Sequence, residues 1–185
     1  QRMSRGLGDV YKRQIIASME KMSFVSRETA NAAKIYNQMI KDKDCTIFLT
    51  LAGSTSAAGC MHIYRDMVKY NMVDAIVATG ASIIDMDFFE ALGFKHYQGS
   101  QFQDDTELRK NYIDRIYDTY IDEDELQICD KKICEIADGL DPRNYTSREF
   151  IHEMGKYLNK NSIKKDSLIE TAFDHNVPIF CPAFT

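Results

Sequence analysis

The chain has 185 residues, 44% hydrophobic and 28% charged, which supplies a core for about one domain and excludes a disordered chain. Arg2, Arg5, Lys12 and Arg13 against Asp9 give the first 14 residues +3, so a chain of net charge −5 carries −8 on the rest. That acidic body argues against nucleic-acid binding, and no apolar run approaches the ~18 residues of a membrane helix. Residues 1–14 include GLGDVYKRQ, which resembles a translated adapter, and are set aside as non-native, leaving 15–185 as the folding part. Ser26 to Asp42 has the 3–4 spacing of a helix, with Ser26 as N-cap. CTIFLTLAG follows as a strand buried on both faces. Ser54 opens a helix to about Tyr70, ended by Asn71, and VDAIVATGAS is a second buried strand.

FFEALG closes a further helix with Gly93 just past its end. NYIDRIYDTYID fits both periods, with its second half read as strand. DEDELQICDKKICEIADGL is a helix with acids in its first turn, and TSREFIHEMGKYL opens on a Thr146–Glu149 capping box. DSLIETAFDH is a last helix before the strand PIFCP, after which the chain stops as a fragment would. Apolar strands alternating with helices predict an α/β fold, a parallel sheet with helices on both faces. The five scattered cysteines form no CxxC pair, so reduced thiols of a cytoplasmic protein are expected rather than disulfides or a zinc site. The four histidines form no HExxH or triad spacing and are read as structural.

Two bends can carry chemistry. LAGSTSAAG places Gly53, Ser54, Thr55, Ser56 and Ala57 at a strand-to-helix turn, where free N–H groups and hydroxyls hold a pyrophosphate. The spacing is neither GxGxxG nor a P-loop, and the competing reading is helix capping by Ser54. ATGAS places Thr79, Gly80 and Ala81 at a second strand exit. If the two strands are neighbours, both bends share one rim, the place where open α/β sheets bind nucleotides. Asp85 and Asp87 follow; they read either as a solvated helix start or as a grip for a cationic substrate.

TIFLTLAGSTSAAG, NMVDAIVATGAS, DFFEALGFKHY, IDRIYDTYID, SREFIHEMGKYL and VPIFCPA together resemble the deoxyhypusine synthase family, from about Ser23 to Thr185. The resemblance implies an incomplete Rossmann-like domain from a bacterial homotetramer, with active sites between paired subunits and NAD as cofactor. It implies oxidation of spermidine with NAD and transfer of its aminobutyl group, through an enzyme lysine, to an acceptor amine. In deoxyhypusine synthase that acceptor is a protein lysine; related enzymes use putrescine and make homospermidine. Gly53 to Ala57 and Thr79 to Ala81 match the family's two NAD-contacting stretches, though eukaryotic members have an Asn in the first. Asp85 matches one of an acidic pair that contacts spermidine and cofactor; the second falls near Met86 or Asp87. The family's next NAD-contacting Asp follows the position of Thr185, and its covalent lysine lies further on, so this chain alone is expected to be inactive. ATGAS also resembles a sirtuin turn, but the zinc cysteines and H-G motif of sirtuins are absent from the sequence. A non-catalytic dinucleotide-binding remnant is the remaining alternative.

Overall fold

A computed structural model describes residues 7–184, which divide into two compact units between Ile47 and Phe48. In the first, α1 (Leu7–Met19) packs on α2 (Val25–Met39). Ser26 is not the N-cap of α2. Phe24 takes that place with φ 55°, its reversed backbone starts the helix at Val25, and no side chain caps it.

The second unit runs β1 (Phe48–Thr50), α3 (Met61–Lys69), β2 (Ala75–Thr79) and α4, the helical run 80–91. Next come β3 (Tyr97–Gln98), α5 (Asp105–Lys110), β4 (Ile113–Ile116) and β5 (Thr119–Asp122). The unit closes with α6 (Glu123–Asp138), α7 (Ser147–Asn161), α8 (Leu168–Asp174) and β6 (Ile179–Ala183). The main sheet is parallel in the order β1-β2-β6. β2 is central, with Ala75, Ile76 and Ala78 in the core, as its unbroken apolar run predicts. β1 corrects the expectation of burial on both faces. Its residues alternate, Phe48 standing 58% exposed while Ile47 and Leu51 are buried, so only one face is covered. β6 alternates in the same way, with Ile179 and Cys181 buried and Phe180 exposed.

Helices pack on this sheet: α7 lies against β6 and α8, and α8 against α3. Gly155 permits the α7–α8 approach, since a Cβ there would stand 2.6 Å from the Phe173 Cβ. The Thr146–Glu149 box forms as predicted, the Thr146 hydroxyl accepting from the Glu149 amide at 3.2 Å. Asp122 caps α6 through the amides of Asp124 and Glu125. The ambiguous NYIDRIYDTYID is strand in both halves. β4 and β5 form a hairpin across Tyr117 and Asp118, and β3 completes an antiparallel sheet in the order β3-β5-β4. Among the described residues no helix is long and apolar enough to cross a membrane.

Candidate functional site

The site is built where β1 and β2 end. These strands are parallel neighbours, paired Phe48 to Ala75 and Thr50 to Val77, so their exits leave the sheet on the same rim. After β1, Gly53 turns the chain at φ +63°, a left-handed conformation that disfavours any residue with a Cβ. A Cβ on Gly53 would meet nothing within 4 Å, so the bend faces open space.

The chain from Ser54 to Cys60 is not the first stretch of one long helix. The Cys60 amide reaches back five residues to the Thr55 carbonyl at 3.1 Å, and Gly59 at φ +87° breaks the helix before Met61. Ser54 makes no side-chain cap; the helical turns start at Ser56 instead. The widened turns leave the hydroxyls of the bend to other partners. Thr55 accepts a hydrogen bond from the Tyr64 hydroxyl at 2.9 Å.

The second bend follows β2. Thr79 is extended at φ −96°, and Gly80 begins α4 directly. The amides of Gly80, Ala81 and Ser82 open a helix and so have no preceding turn to bond. The β2–β6 register slips between Val77 and Thr79, which loosens the ladder at this exit. The Thr79 Oγ1 is buried with no hydrogen-bond partner, an uncommon state for a native hydroxyl.

The two bends are tied to each other. Ser82 donates its hydroxyl to the Gly53 carbonyl at 2.8 Å, and buried Ser56 donates to the Ser82 carbonyl at 3.3 Å. Thus Gly53, Ser56, Thr79, Gly80, Ala81 and Ser82 belong to one cradle. Ser82 lies outside the residues assigned to cofactor contact on sequence grounds. Its role rests on a contact 29 positions away, which no local pattern carries.

Asp85 and Asp87 part company. Asp85, half-buried on α4, has its carboxyl raised above the usual range by burial and then by the charge of Asp130 on α6. Cys129 beside Asp130 reaches the Ile84 carbonyl at 3.7 Å, which fixes the two helices together there. Asp87 is no solvated helix start. It is 2% exposed, and its two oxygens accept from the amides of Leu168 at 2.7 Å and Ile169 at 2.8 Å. Both oxygens are engaged inside the core, so Asp87 serves as a buried tie between α4 and α8 in this structure. Burial lifts its pKa to about 6 against the lowering pull of those amides.

Two of the histidines are engaged with other groups. His96 lies between Glu90 at 3.0 Å and the Met86 sulfur at 2.9 Å, and His152 stacks on Phe173. No group of three or more His, Cys, Asp or Glu able to hold a metal occurs among the described residues.

A parallel sheet with helices packed on it and two linked bends at its carboxyl rim defines an α/β protein of the kind that binds ligands at strand ends. The deoxyhypusine synthase family model matches residues 14–185, and the chain belongs to that family. It is 65% identical over 174 residues to a deoxyhypusine synthase-like protein of Coxiella burnetii, covering 94% of this chain and 49% of the relative. A protein of the same description from Caulobacter vibrioides is 67% identical over 173 residues, 93% of this chain and 47% of the relative. The chain therefore spans about half the length of these curated relatives. A solved Entamoeba histolytica structure described as a deoxyhypusine synthase shares the fold at TM-score 0.65 and 21% identity, covering 93% of this chain and 58% of that one.

Proposed function

We propose that the complete protein carries out NAD-dependent transfer of the aminobutyl group of spermidine to an acceptor amine, a protein lysine, as a cytoplasmic homotetramer. The observation that carries this reading is the hydrogen-bonded union of the two bends, Ser82 to Gly53, in a chain of this family. The residues present fit a dinucleotide. Gly53 offers open space, the amides of the first turn of α4 have no acceptor within the helix, and the buried Thr79 hydroxyl lacks a partner that a bound ligand would supply. Gly53, Ser54, Thr55, Ser56 and Ala57 form one wall of the cofactor site, and Thr79, Gly80 and Ala81 the other. NAD, when bound, supplies the two-electron acceptor for oxidation of the amine and the donor for the closing reduction.

Asp85 holds an ammonium of spermidine. A cation at ~4 Å gains about 4 kcal/mol of gross Coulomb energy at an effective dielectric of 20, before desolvation takes its share. Neutralising Asp85 with an ammonium also relieves its repulsion from Asp130. The lysine that carries the aminobutyl group belongs to the part of the relatives not matched by this chain.

The test is product analysis on the complete protein with NAD and spermidine, with and without putrescine or a lysine-bearing protein acceptor. Release of 1,3-diaminopropane with aminobutylation of the protein is expected. Homospermidine instead would make putrescine the acceptor, and no diaminopropane at all would overturn the transfer. Asp85→Asn is expected to raise the Kd for spermidine more than that for NAD. Equal losses would reduce Asp85 to a structural role. The 185-residue chain alone is expected to give no borohydride-trapped adduct with spermidine and NAD.

A further inference from the structure

A cavity of about 290 Å³ opens between α7, α8 and the start of β6, lined among others by Arg148, His152, Ala172, Phe173, Asn176 and Val177. Because β6 runs parallel to β2, and Pro178 and Ile179 at the amino end of β6 line this cavity, it lies at the end of the sheet opposite the two bends. It plays no part in the function proposed above, and the inference here stands independently of it.

Ala172 and Ile169 give it an apolar floor, both almost wholly buried. The charges around it are mostly spent on one another. Arg143 pairs with Glu149 at 3.1 Å and lies 3.7 Å over the Tyr145 ring, and Glu153 pairs with Lys156 at 3.0 Å. Three polar groups stay unspent. The Arg148 guanidinium, the His152 ring nitrogens and the Asn176 amide form no side-chain hydrogen bond or ion pair among the described residues. Arg148 and His152 are four residues apart on α7, so they share one face of that helix, while Asn176 stands on the other wall.

We propose that this cavity binds a small monocarboxylate with an apolar body. The carboxylate takes the two-pronged bond of the Arg148 guanidinium, and the body lies on Phe173 and Val177 above the Ala172 floor. A cavity near 300 Å³ is at the small end of ligand sites, which limits the occupant to a small molecule. A phosphate dianion is disfavoured. The amino end of α7, the natural seat for it, already holds the Glu149 carboxylate against the Thr146 amide at 2.9 Å.

The experiment titrates the complete protein with phenylacetate, inorganic phosphate and 2-phenylethylamine, followed by isothermal calorimetry and by NMR shifts of the Ala172 methyl. Saturable phenylacetate binding is expected, with Ala172 shifted. Arg148→Gln, an exposed substitution, weakens it by about tenfold, the loss of a charged hydrogen bond. His152→Ala, a second variant that leaves the guanidinium in place, weakens it less. Absence of phenylacetate binding, equal binding by Arg148→Gln, or binding of phosphate or the amine as tight as that of phenylacetate would each overturn the assignment.

Discussion

Asp87 lies 81 positions before Leu168, the first of the two amides it caps, so it pins the start of α8 to α4 across the core. Two effects oppose each other on its carboxyl. Amide donors favour the ionised form, and burial opposes it; burial wins, and the pKa stands at about 6. The folded state then holds the proton more tightly than the unfolded chain, whose Asp titrates near 3.8. Its contribution to stability is complete below about pH 4 and is lost as pH rises through about 6. Asp87→Asn removes that dependence. Chemical denaturation between pH 4 and 7 is expected to show the wild type losing stability relative to the variant as pH rises. A constant difference would mean that Asp87 titrates normally. None of this could be read from the sequence, because its partners are remote and local spacing suggested an exposed helix start. The Thr79 and Gly53 bends, by contrast, were legible as strand exits because the residues that make them are contiguous.

At the scale of elements, Gly155 decides how closely α7 meets α8. Alanine in a helix interior is worth about 1 kcal/mol over glycine. Here a Cβ would also meet the Ile169 carbonyl at 3.1 Å besides crowding Phe173, and overpacking of this kind costs about 1–3 kcal/mol. Clash outweighs propensity, so Gly155→Ala is expected to lower the urea midpoint; a raised midpoint would show that the helices separate freely. Thr146→Ala is expected to cost about 1 kcal/mol through loss of the box, measured in the same denaturation. Capping of α7 was legible because its partners are three residues apart. The β4–β5 hairpin was not fully so. Tyr117 enters the turn at φ 54° with no glycine to signal it, and the strand identity of the first half rests on pairing with β5. The open face of β1 was likewise hidden, because an apolar run reads the same whether one or both faces are covered.

Across the whole molecule, the parallel order β1-β2-β6 brings two small-residue bends to one rim, and a serine hydroxyl closes them into one cradle. The acidic body and the half-buried Asp85 are consistent with the polycationic substrate proposed above. Family membership and α/β architecture were legible from the six sequence blocks, while the way the bends lock together needed the fold. NAD titration of the complete protein by isothermal calorimetry tests the cradle most directly, with Thr146→Ala as the fold control. Thr79→Val and Gly53→Val are each expected to weaken NAD by about tenfold or more, the first by removing a hydroxyl donor and the second by filling the open bend. NAD affinity unchanged in both variants would contradict the account.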